Sequence, residues 1–205
     1  MKVTLVQQSE NPIEKIANIA SICYGKDDAK YPKRLVKNLL KLKHEAGFEH
    51  IYFTWKIEGV SRALLGQLSR HRHSSPTVRS QRYCDESERK FVIPKSILDS
   101  DGALLIWTHI TREIKSAYEQ LLKRGIPRED ARFILPQATE TDLFFTCNLR
   151  ELLHIYRLRN DKSAQWEIRK LINMMVDTID WDLQFMFAGL EIGSRVKIKA
   201  IVDEW

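Results

Sequence analysis

Residues 70 to 83 read RHRHSSPTVRSQRY and concentrate the chain's capacity for chemistry. Arg70, Arg72, Arg79 and Arg82 put four permanent positive charges into these fourteen positions. A guanidinium offers a planar fork of donors that matches phosphate oxygens. The hydroxyls of Ser74, Ser75, Thr77 and Ser80, with backbone N–H groups of a turn, can complete a cradle for an anion. His71 and His73 alternate with the arginines, so neighbouring positive charge disfavours their protonation. Neither has the spacing of a metal-binding pair. The segment is suited to binding and polarising an anionic ligand.

A second concentration lies at residues 149 to 159. On a helix, Arg150, His154 and Arg157 share one face, opposite Leu149, Leu152, Leu153 and Tyr156. A solvated basic face is the plain alternative for those three. Arg159 differs, because helical geometry swings it towards Leu152 at the edge of the apolar side. An arginine there must snorkel to water or meet an acceptor, which a ligand could supply.

The elements that must position these groups are legible in outline. Residues 2 to 7 alternate weakly, as a strand would, and helices are expected near 12 to 22 and 32 to 45. Residues 48 to 57 read as a strand that Gly59 breaks. Val60, Leu64, Leu65 and Leu68 then give a short amphipathic helix that delivers Arg70 at its end. Pro76 argues against helix through the arginine-rich segment, so 71 to 79 is expected as a loop. A short strand is expected at Lys90 to Pro94, and a long helix from 99 to 124 that Gly125 and Pro127 end. Helical turns at 128 to 135, a strand at 139 to 147 and helices at 149 to 159 and 164 to 178 follow. Ile168, Leu171, Ile172 and Met175 form a core stripe on the last. The fold class is mixed α/β (α+β), one domain over residues 1–205, without the G-x-G-x-x-G opening of a Rossmann unit.

Bulk properties agree with such a domain. The 205 residues are 43% hydrophobic and 29% charged, as expected of a globular chain with a proper core. No apolar run approaches the roughly 20 residues of a membrane span, and the N-terminus lacks the pattern of a secretory signal. A cytoplasmic protein is expected, with Cys23, Cys84 and Cys147 as reduced thiols. The net charge of +6 fits nucleic acid, and equally nucleotides and anionic cofactors.

Order of residues narrows this further. Arg70-His71-Arg72, seven residues, then Ser80 and Arg82-Tyr83 resemble the signature of the flavin-dependent thymidylate synthases. The lead-in from Phe48 to Ser69 is similar to that family's. Ala131-Arg132 with Leu135-Pro136, Asn148-Leu149-Arg150, Leu158-Arg159 and Ala164-Gln165-Trp166-Glu167-Ile168 follow in the family's order, so the resemblance runs from about His44 to Arg169. It implies reductive methylation of dUMP to dTMP, with FAD reduced by NADPH and methylenetetrahydrofolate as carbon donor. It further implies a homotetramer with sites shared between subunits, and neither membrane, nucleic acid nor resident metal as partner.

The resemblance also assigns roles. Gln67, Arg70, Ser80, Arg82, Arg132 and Arg159 match positions for dUMP, with Arg159 the activating residue. His44, Arg70, His71, Arg72, Asn148, Arg150 and His154 match positions for FAD. None of the three cysteines follows a proline, unlike the nucleophile of the flavin-free thymidylate synthases, and Cys84 reads as a packed thiol. Departures fall within the signature. Val78 stands where a glutamate or glutamine is usual, Pro76-Thr77 replace an aromatic and polar pair, and Ala46 lacks a hydroxyl for a flavin contact. The altered loop is expected either to bind its substrate less tightly or to use Arg79 in compensation. Two other readings stay open: a nucleic-acid-binding module using the basic segments, and a flavin- and nucleotide-binding relative without synthase activity.

Overall fold

The computed structural model describes residues 1–188. In chain order it contains β1 (Lys2–Gln8), α1 (Pro12–Ser21), α2 (Pro32–Lys41), β2 (Tyr52–Ser61), α3 (Arg62–Leu68), β3 (Ser74–Val78), α4 (Lys95–Leu98), α5 (Asp101–Lys123), α6 (Arg128–Ala131), β4 (Glu140–Asn148), α7 (Leu149–Arg159), α8 (Trp166–Asp177) and α9 (Trp181–Gln184). The four strands form one antiparallel sheet in the order β1-β2-β4-β3. Residues 189–205, the end of the expected domain, lie outside the described part.

One face of the sheet carries the core. Phe53, Trp55 and Ile57 of β2 and Leu143, Phe145 and Cys147 of β4 alternate inwards and are buried. The expected stripe of Ile168, Leu171, Ile172 and Met175 is buried with them. On the other face the Thr54 and Thr146 hydroxyls hydrogen-bond at 2.9 Å, beside exposed Tyr52 and Phe144.

Several boundaries differ from expectation. Residues 74–78 are strand, because Pro76 forbids helix but is tolerated on an edge strand that needs no donor on its open side. Gly59 does not end β2. It takes φ +70 within a register shift between Ile57 and Val60, and the strand continues to Ser61. The expected strand at 90–94 is reduced to a single bridge, Phe91 to Thr139. The expected long helix is found unbroken as α5, preceded by the separate short turn of α4.

The junction after Ser61 fixes the start of the functional segment. The Ser61 hydroxyl caps α3 by accepting from Leu64 N–H at 3.0 Å. The same residue donates its N–H to Glu167 Oε1 at 2.8 Å and its hydroxyl to Glu167 Oε2. Glu167 is 2% exposed, so this carboxylate is a buried clamp between the β2–α3 junction and α8. Replacing Glu167 with Ala leaves both donors without it. The expected loss is about 3 kcal/mol, measured by urea unfolding at fixed protein concentration, with Glu167→Gln losing less.

Candidate active site

The C-terminal ends of α3 and α7 meet around His71. Arg159, the last residue of α7, donates from Nε to His71 Nε2 at 3.0 Å and from Nη2 to the Gln67 carbonyl at 3.5 Å. Among the described residues, both of these partners are neutral. The acceptor that Arg159 needs is therefore supplied within the chain, while its positive charge stays uncompensated. His71 is 6% exposed, and its Nδ1 lies 3.7 Å from Glu151 Oε1. The His154 ring stands edge-on to His71 at 6.2 Å between centroids.

Burial pushes the His71 pKa down to about 4, helped by the positive charge of Arg159 and by His154. The flanking arginines of the sequence predict the same direction. The structure instead assigns it chiefly to burial and to an arginine 88 positions away.

Arg70 and Arg72 are exposed and form no ion pair among the described residues. With Arg159 they make a donor set that fits the phosphates and polar edges of an anionic cofactor and substrate. Asn148 caps α7, its Oδ1 accepting from Glu151 N–H at 2.8 Å, which leaves its amide N–H groups free of that bond. His44 is exposed, and α2 ends earlier than expected. Lys43 adopts φ +59, and His44 N–H bonds back to the Leu39 carbonyl at 2.9 Å, which sets the backbone of His44.

Arg150 and Arg157 are not a bare basic face. Arg150 pairs with Glu49, and Arg157 with Glu45 at 2.7 Å. Sequence reasoning misses these carboxylates, and Glu151 with them, because nothing local shows that they fold against α7 or His71.

A second group gathers around Glu129. Arg82 donates from Nε to its carboxylate at 3.1 Å, and Arg132 donates to its carbonyl at 3.1 Å. Arg82 N–H also bonds the Ser80 hydroxyl at 3.2 Å. Glu129 thus joins two predicted substrate residues, Arg82 and Arg132, a role that no sequence signal marks. The segment behind them is anchored by Arg79, whose Nε donates to buried Glu86 at 3.0 Å, and by the Arg89–Asp142 pair. Burial raises the Glu86 carboxyl despite this neighbouring charge. Arg79 is thus ion-paired with Glu86 and stands next in sequence to Val78, whose apolar side chain packs against the core. Among the cysteines, Cys147 is buried and its thiol pKa is pushed far up by burial, which excludes a thiolate there.

A cavity of about 280 Å3 between α1 and α2 includes none of these residues. Both groups of cations stand on the open surface of a single chain. The depressed His71 value has a direct consequence for pH. An unfolded imidazole, near 6.5, takes up a proton that the folded one refuses, so this contribution to stability is complete above pH 6.5 and is lost as pH falls through about 4. His71 ring-proton resonances should show a neutral imidazole down to pH 5. Titration above pH 6 would contradict the arrangement, and Arg159→Met should move the midpoint upwards.

Comparison with known proteins identifies the family. The family model described as thymidylate synthase complementing protein matches residues 4–181. A flavin-dependent thymidylate synthase of Pyrococcus furiosus is 41% identical over 190 residues, covering 86% of this chain and 78% of that protein. One from Geobacter sulfurreducens is 37% identical over 182 residues, covering 83% and 78%. The crystal structure of thymidylate synthase X from Helicobacter pylori with FAD and dUMP shares the fold, with a TM-score of 0.74, 23% identity and coverage of 94% and 99%. A UMP/dUMP methylase from Streptomyces cacaoi, bound with 5-Br dUMP, gives a TM-score of 0.73 at 26% identity, covering 86% and 88%. With its signature, its Arg159–His71 pair and these relatives together, the chain belongs to the family of flavin-dependent thymidylate synthases.

Proposed function

We propose that the protein is an enzyme that methylates dUMP reductively to dTMP, with FAD as cofactor, NADPH as its reductant and methylenetetrahydrofolate as carbon donor. The observation that carries this reading is Arg159, a cation oriented by a buried neutral imidazole and without an ion-pair partner among the described residues. When bound, the reduced flavin supplies the hydride. Arg159 presents its remaining donors to the uracil edge, where negative charge on N3 and on O4 or O2 makes carbon 5 nucleophilic. No cysteine takes part. Gln67, Ser80, Arg82 and Arg132 hold the deoxyuridylate, the last two braced through Glu129. Arg70, His71, Arg72, His44, Asn148, Arg150 and His154 would hold the flavin.

The working unit is a cytoplasmic homotetramer. Of the 23 residues of α5 only Tyr118 is buried, while Leu105 and Ile106 are 73% and 72% exposed on the single chain. Such an apolar face on a helix roughly 34 Å long calls for a partner. The open position of both cation groups supports sites completed by neighbouring subunits. Pairing of Arg150 and Arg157 with carboxylates weighs against a nucleic-acid surface.

Tritium release from 5-tritiated dUMP, with FAD, NADPH and methylenetetrahydrofolate each omitted in turn, tests the reaction. Release should require all three and accompany dTMP. Arg159→Met should cut it by about 100-fold or more while flavin stays bound. Flavin and dUMP binding without release would mark an inactive relative, and a flavin-free monomer would overturn the proposal.

A further inference from the structure

We infer that Glu151 is a positioning residue that fixes the tautomer of His71 and, through it, the aim of Arg159. The functional consequence rests on the reading that Arg159 acts on the bound pyrimidine; the tautomer does not.

A guanidinium N–H can only donate. Arg159 Nε meets His71 Nε2 at 3.0 Å, so Nε2 must carry a lone pair and the ring proton must sit on Nδ1. Nδ1 faces the Glu151 carboxylate at 3.7 Å, with both side chains more than nine-tenths buried. The hydrogen-bonding partner of one ring nitrogen sets which tautomer is present. A carboxylate beside Nδ1 favours the proton there and holds Nε2 open to Arg159. With the proton on Nε2, that nitrogen and Arg159 Nε would both be donors, and the guanidinium would no longer be oriented by the ring.

Both ends of this relay are fixed. Glu151 sits in the first turn of α7, its N–H bound by the capping Asn148. On the histidine side, His71 N–H donates to the Leu68 carbonyl at 3.2 Å, and its own carbonyl accepts from the Ser74 hydroxyl. The charged and titratable groups facing the ring are Glu151 and His154 from the body of α7 and Arg159 from its end. Among the described residues, Glu151 is their only carboxylate. None of the signature residues supplies one to this ring.

Long-range proton–nitrogen correlation on the flavin-loaded enzyme, labelled with imidazole nitrogen-15, reads the tautomer directly. The expected result is a protonated Nδ1 and an unprotonated Nε2 on His71. Glu151→Leu should shift the population towards the Nε2-protonated form and raise the KM for dUMP about ten-fold, with a smaller change in kcat. Glu151→Gln keeps an oxygen acceptor and should stay within about two-fold of wild type in both tautomer and KM. Wild-type enzyme with its proton on Nε2 overturns the inference, whatever the activity and whether or not the Leu variant folds. Glu151→Leu with wild-type tautomer and KM overturns it as well. A protonated Nδ1 in a protein that does not turn over dUMP would remove the proposed function and leave the tautomer assignment standing.

Discussion

Everything in this site depends on an arginine held by a neutral acceptor. Had a carboxylate taken the place of His71, Arg159 would be oriented equally well, but its charge would be spent inside the protein. A neutral imidazole orients without neutralising. Burial keeps that imidazole neutral, and the charge of Arg159 adds to the effect, so the pair reinforces itself. The field of the guanidinium remains available to whatever binds in front of it.

The fold serves this pair through two short helices that end at the same place. The α3 helix leaves the central strand β2 at one end of the sheet, and α7 leaves its antiparallel neighbour β4 at the other. Their C-terminal ends meet where Arg159 reaches Gln67. Glu167 then ties the start of α3 to α8, and Asn148 caps the start of α7. Each helix is thus fixed at its N-terminus, and their C-terminal ends bring Gln67 and Arg159 together. The strand β3 lies on the edge of the same sheet, so the serines after Arg72 continue a rigid ladder rather than an open loop.

Much of this is readable in the residues, for physical reasons that differ by element. The stripe on α8 and the alternation in β4 are local patterns, and the structure bears them out. Edge-strand status and a register shift between paired strands are not local, which is why Pro76 suggests a loop and Gly59 a strand end. Arg159 illustrates the same divide at the site. Its place at the rim of an apolar face shows that it needs an acceptor, but His71 is 88 positions earlier and only the sheet register brings them together. Glu151 can be read as a first-turn carboxylate after a capping asparagine, a helix-start signal with no hint of the imidazole it faces. Arg79 looks free for a ligand in the sequence because nothing local shows that Glu86, seven residues on, is buried beneath it.

The most direct test of the account is the ionisation of the bound pyrimidine itself. Fluorine-19 NMR of 5-fluoro-dUMP reports protonation at N3, and its midpoint can be compared free, on the flavin-loaded enzyme and on Arg159→Met. If Arg159 directs an uncompensated charge at the uracil edge, N3 must ionise at lower pH on the wild-type enzyme than in solution, and the variant must lose that shift. Equal midpoints for free and bound nucleotide, or a shift that survives Arg159→Met, would contradict it.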